Sequence, residues 1–181
     1  MIFAKPGKEN SQETIRLAIE HARQAGIKQI VVASNAGATA ELLLPYADEF
    51  DITVVGQVFG FRGDGEPNPM TRETREKLQA AGMQVFIGTH ALSGAERGLS
   101  NRFQGVYPVE IIAHTLRMFS QGVKVGVEIS VMALDAGLIP EKTPVIAIAG
   151  SGRGADTASV IIPAHAQRIL ETKVVEIICK P

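Results

Sequence analysis

The chain has 181 residues, 45% of them hydrophobic, and 18 Lys and Arg against 19 Asp and Glu leave a net charge of −1. This describes one globular domain over residues 1–181 with enough apolar material for its own core, and it excludes disordered and fibrous classes. The charge balance gives no electrostatic footprint for nucleic acid or an anionic membrane, no run of about 18 apolar residues offers a membrane span, and Cys179 has no intrachain partner, so a reduced cytoplasmic setting is expected.

In chain order, a first helix is expected from Asn10, with Asn10 as cap, Glu13 as capping-box partner, and Ile15, Ala18, Ile19 and Ala22 inward. Gln29 to Ala33 is a continuous apolar run, the pattern of a central strand covered on both faces. A second helix is read over Ala38 to Glu49, followed by a strand over Ile52 to Val55. A third helix spans Thr71 to Ala81, with Arg72, Glu76 and Glu73, Lys77 paired four apart on a solvated face. Gln84 to Ile87 is the next strand. Pro108 opens a fourth helix with Val109, Ile112, Ala113, Leu116 and Phe119 inward. Val123 to Ala136 carries both a strand-like alternation and a helical face, and a helix is favoured. Val145 to Ala149 and Ala158 to Ile162 are strands, and Val174 to Ile178 is a candidate last one. Gly26, Gly82 and Gly137 each follow an alanine and stop a helix. Helices alternating with buried strands predict a mostly parallel sheet covered on both faces.

Two connections, Gly56 to Pro69 and Gly88 to Tyr107, exceed simple turns, and both follow strands. Loops of that length in a compact domain are usually functional, and the carboxyl ends of an open α/β sheet are where ligands bind. Three segments there are candidate sites. The first, Ser34 to Ala40, combines small residues (Gly37, Ala38) with Ser34, Asn35 and Thr39 before a helix, which suits a phosphate or a simple capped turn. The second, Gly150-Ser151-Gly152-Arg153-Gly154-Ala155-Asp156-Thr157, formally matches a dinucleotide fingerprint. A β-branched run follows it where that motif needs a helix, so it reads as a flap over a ligand, with Arg153 as phosphate partner, or as a glycine-rich hairpin. The third is Gly88 to Gly94, where Thr89, His90 and Leu92 offer ligand contacts. His90 and Asp156 are weak candidates for proton transfer. No histidines have metal spacing, no nucleophile elbow is present, and Arg62-Gly63-Asp64 is read as turn chemistry.

The two glycine-rich loops, with the stretches Thr14 to Val55 and Val123 to Ile162 around them, resemble the C-terminal α/β domain of pyruvate kinase. Residues 150–160 fit that family's Gly-Ser-Gly, two residues, Asn-Thr pattern, with Asp156 in the Asn position. The resemblance implies a three-layer α/β/α sandwich with a mostly parallel sheet of five or more strands, in the order 3-2-1-4-5 with the last core strand antiparallel. In pyruvate kinases these loops grip a sugar-bisphosphate effector. Asn35 and Ala38 stand where effector-binding members often carry Lys and Arg, and the two long connections exceed the family's, which points to a larger ligand. The kinase's catalytic barrel needs more residues than this chain has, so no kinase activity is expected. Stand-alone proteins of this kind are associated with flavin mononucleotide (FMN). The resemblance therefore implies a binding or regulatory module that holds a phosphorylated mononucleotide, with Phe59, Phe61 or Leu92 as ring wall and Thr89, His90 and Asp156 at polar edges. An enzyme acting on a phosphorylated substrate and a ligand-free assembly domain are the alternatives. Homo-oligomerisation is expected under each.

Overall fold

The computed structural model describes residues 1–61, 63, 65 and 67–181. Arg62 and Asp64, and with them the Arg62-Gly63-Asp64 turn, lie outside the described residues, as does Glu66.

Six strands form one sheet: β1 (Gln29–Ala33), β2 (Asp51–Gly56), β3 (Gln84–Ile87), β4 (Val145–Ala149), β5 (Thr157–Ile162) and β6 (Lys173–Cys179). Their order is β3-β2-β1-β4-β5-β6. β1 lies between β2 and β4, parallel to both, and β2 pairs parallel with β3. β5 and β6 add antiparallel, so the run at Val174 to Ile178 does extend the five-stranded core. Centrality follows from the sequence, because Ile30, Val31 and Val32 are fully buried and alternate between the two faces.

Seen from β1, Ile30 and Val32 face α1 (Ser11–Ala25), whose Ile15, Ala18, Ile19 and Ala22 complete one core with Leu78 of α3 (Arg72–Ala80). Val31 faces the opposite core, built with α5 (Pro108–Arg117) and α6 (Gln121–Asp135). These are the expected three layers. The Val123 to Ala136 segment is helical, and twelve of the fifteen residues of α6 are buried. A helix enclosed on all sides needs no polar stripe, which is why its periodicity is ambiguous.

Five expectations are corrected. Asn10 makes no side-chain cap; its amide turns back to the Lys5 carbonyl, and Glu13 pairs with Arg16. The second helix is only α2 (Ala38–Glu41), after which Pro45 leads the chain into a short 3-10 turn at Leu44–Tyr46. Between Gly88 and Tyr107 lies a further helix, α4 (Ala95–Phe103). Phe119 is exposed, because α5 ends at Arg117 before that residue can turn inward. On α3, Arg72 pairs with Glu76 as expected, but Lys77 reaches Glu41 of α2.

Candidate functional site

A cleft of about 900 Å³ opens at the carboxyl ends of β1 and β2 and runs across the sheet edge from the α1 layer to the α6 layer. On the α1 side it is lined by Ser34, Asn35, Ala38 and Thr39 and by Gly152, Arg153 and Gly154, so the first two candidate loops meet there. Both loops are held by their own chemistry. Ser34 N–H donates to the Val55 carbonyl at 3.0 Å, and Ser34 Oγ accepts from Ala40 N–H at 3.2 Å. Gly37 is buried beside Thr74, outside the lining. Since α2 is a single turn, its dipole supplies little, and any anion held there depends on loop amides and side chains.

The Gly150 to Asp156 loop is clamped by the chain's beginning. Asp156 is fully buried; its Oδ2 accepts from Gly7 N–H and Ser151 N–H, each at 3.1 Å, and its Oδ1 from the Thr157 hydroxyl at 2.9 Å. Ser11 Oγ accepts from Ala155 N–H at 3.0 Å while donating to the Lys8 carbonyl. Asp156 and Thr157 therefore hold the loop in shape and lie outside the cleft lining. Gly150 and Ser151 form the base of the loop, also outside the lining. At Gly154, φ is +73°, and a Cβ would lie 2.4 Å from Ser11 Oγ and 2.5 Å from Lys8 Cα, so only glycine lets the two segments pack.

On the α6 side, His90, Ser93, Arg97, Arg117, Lys124 and Glu128 line the cleft. Lys124 and Glu128 form a buried ion pair four residues apart on α6. Glu128 Oε1 also accepts from Leu92 N–H at 2.9 Å and from Ser93 Oγ at 3.4 Å, fixing the Gly88 to Gly94 segment against α6. Leu92 is buried in the core beneath that segment, outside the lining. Thr89 is exposed away from the lining. Phe61 lines the cleft with its ring 5.8 Å from that of His90, whereas Phe59 lies outside it under the Arg75 guanidinium. Burial pushes the His90 imidazole below its ordinary range, Lys124 and Arg97 push the same way, and Glu128 opposes them.

Among the described residues, the lining holds five cationic side chains, Lys8, Arg97, Arg117, Lys124 and Arg153, against one carboxylate, Glu128, that is already paired. Among the described residues, the side chains of Lys8, Arg97 and Arg153 make no hydrogen bond or ion pair. Sequence reasoning found Arg153 and His90 but missed the other four cations. Lys8 contacts the loop at Gly154 across some 146 positions, and Arg97 rides on a helix with no buried residue to betray it.

Among solved structures, the chain is similar to Cryptosporidium parvum pyruvate kinase in complex with ADP, at 16% identity and a TM-score of 0.44. That match covers 87% of this chain and 24% of the other, so the chain spans about a quarter of the enzyme's length. The family model "Pyruvate kinase, alpha/beta domain" matches residues 12–161, which include β1 to β4, β5 up to Ile161, and both glycine-rich loops. The chain belongs to the pyruvate kinase α/β domain family.

Proposed function

We propose that the chain is a binding module that holds a phosphorylated small molecule in this cleft, with a mononucleotide, and FMN first, as the ligand to test. One observation carries the reading: among the described residues, two glycine-rich connections and five cations converge on a single cavity whose one carboxylate is already paired. Cations and loop amides gathered on one cleft suit phosphate, and Arg153 offers a bidentate contact. The volume matches a mononucleotide, since ligand clefts run from about 300 to about 1,000 Å³. Phe61, Leu42, Ile129 and Met132 add apolar wall for a ring system. FMN, when bound, would supply hydride or electron transfer. The chain's own residues hold the phosphate, stack on the ring and shield it from water.

Thermal unfolding with FMN, riboflavin and inorganic phosphate tests this. Ligand at about a hundredfold over its Kd stabilises by about 2.7 kcal/mol. FMN should raise the midpoint, riboflavin should do so less, and Arg153→Glu should abolish the difference. No shift with FMN, phosphate or any sugar phosphate overturns the reading.

A second reading, turnover of a phosphorylated substrate in the same cleft, is favoured by His90, whose imidazole lines the cleft beside Phe61 and whose pKa burial pushes down. Self-association belongs to both readings. Leu99, Phe103, Val106, Ile111 and Met118, on and between α4 and α5, are all exposed, and a concentration of large apolar side chains of this kind suits an interface with a second copy.

A further inference from the structure

We propose that Lys124 is a nucleophilic lysine, placed to form a reversible imine with the aldehyde or ketone carbonyl of a phosphorylated ligand in the cleft. The inference rests on the phosphate reading above and not on flavin as the occupant.

The geometry is unusual for a structural ion pair. Lysine and glutamate four apart on a helix ordinarily sit in water, where the pair contributes little. Here the two side chains are 4% and 7% exposed and form the wall of an open cleft. Burying both charges carries a desolvation penalty that a single contact repays poorly. Among the described residues Lys124 Nζ has one partner, Glu128 Oε2, so two of its three donor positions are unfilled while it lines a cavity. Glu128, in contrast, is anchored independently through Leu92 N–H and Ser93 Oγ. If the amine swings toward a ligand, the carboxylate stays where it is.

The surroundings also favour the free amine. Arg117 of α5, Arg97 of α4 and His90 of the Gly88 to Gly94 segment share this wall with Lys124 and Glu128 of α6. Burial lowers the Lys124 pKa below the usual lysine range, and the Arg117 and Arg97 charges add to that, against the pull of Glu128. A desolvated lysine beside other cations is the arrangement that exposes the nucleophilic lone pair near neutral pH.

The chemistry balances without an oxidant or reductant. The neutral Nζ lone pair attacks the carbonyl carbon and a C–N bond forms. The C=O π pair moves to oxygen, and the nitrogen's proton passes through Glu128 to that oxygen. The carbinolamine nitrogen then gives up its second proton, the C–O bond breaks, and water leaves as C=N forms. Amine plus carbonyl gives imine plus water, and hydrolysis reverses it. The ligand class is a phosphorylated aldehyde or ketone, its phosphate toward Arg153 and the two loops and its carbonyl toward α6.

Pyridoxal 5′-phosphate serves as the aldehyde probe, added to the full chain and reduced with borohydride, with unphosphorylated pyridoxal in parallel and peptide mapping as readout. At limiting probe, Lys124 should label about tenfold faster than the exposed Lys5, Lys28, Lys142 and Lys173, as expected of a desolvated amine facing a phosphate-binding cleft. Inorganic phosphate should slow that labelling, and the rate should rise with pH earlier at Lys124 than at the exposed lysines. Lys124→Arg should lose the adduct, and the wild-type map decides the question even if that variant fails to fold. Labelling confined to exposed lysines, or Lys124 reacting no faster than they do, overturns the proposal. Phosphate-dependent stabilisation without a Lys124 adduct sinks this inference alone. Fast labelling of Lys124 by both aldehydes, indifferent to phosphate, upholds the nucleophile and sinks the phosphate reading.

Discussion

Removing the Asp156 carboxylate tests whether the second glycine-rich loop is shaped from within. In Asp156→Ala, the Gly7 and Ser151 amides lose the side-chain acceptor they share, and the Thr157 hydroxyl keeps Ser120 Oγ but loses Asp156 Oδ1. A partly buried donor left unsatisfied costs about 1–3 kcal/mol, so two amides at the lower end of that range plus the hydroxyl give a loss of about 3 kcal/mol. For a chain of this length each kcal/mol moves the thermal midpoint by about 2–4 °C, which predicts a drop of about 6–12 °C. Asp156→Asn should behave differently. Its carbonyl oxygen can face both amides while its NH2 donates to Thr157 Oγ1, which retains Ser120 Oγ as a partner. Only charge assistance is lost, about 1 kcal/mol or less for the pair of amides. Urea unfolding of the three proteins, with slopes compared to confirm that only stability changed, gives both numbers. An alanine variant within 1 kcal/mol of wild type, or an asparagine variant as damaged as alanine, refutes the argument.

Three further outcomes are expected. Gly154→Ala combines a left-handed backbone position with Cβ contacts under 3 Å to the Lys8 and Ser11 segment, so it should lose about 2 kcal/mol in urea unfolding and weaken phosphate binding; a neutral result contradicts the clamp. His165 lies between Asp135 Oδ1 at 2.7 Å and Glu141 Oε1 at 3.1 Å, and these carboxylates raise its pKa above the ordinary imidazole value. A raised folded pKa contributes stability that is fully present below the unfolded value of about 6.5 and lost as pH rises through the folded pKa. His165→Gln should therefore cost more stability at about pH 5.5 than at about pH 8, and NMR titration should place the imidazole transition above about 6.5; a transition at or below that value contradicts the bridge. Phe103→Glu on the exposed end of α4 should shift sedimentation from an oligomer to a monomer without changing the circular dichroism, whereas a wild-type monomer refutes self-association through this face.

The sheet was legible because its strands are short apolar runs bounded by glycine and polar residues. Gln29–Ala33, Gln84–Ile87 and Val145–Ala149 coincide with their sequence assignments: β1 and β4 are continuous apolar runs buried on both faces, and the half-buried edge strand β3 is a short apolar run after a glycine stop. Helices were legible where one face is apolar, as in α1, and illegible where that signal fails. α4 has no buried residue, so nothing in its pattern separates it from loop; the early end of α2 has a local signal in Pro45, whereas the docking of Lys77 on Glu41 is not local information. The site shows the same division. Its two backbone loops were readable from glycine, serine and threonine spacing. The clamp from Gly7 and Ser11 and the Lys124–Glu128 pair were not, because long-range hydrogen bonds and burial give a charged residue a role that its immediate neighbours do not encode.

Native mass spectrometry of gently isolated protein tests the central claim most directly. One phosphorus-containing small molecule per chain, released on denaturation and absent from the Arg153→Glu and Arg97→Glu variants, is the predicted result. A ligand-free spectrum from protein that also fails to take up added FMN or inorganic phosphate would contradict the account.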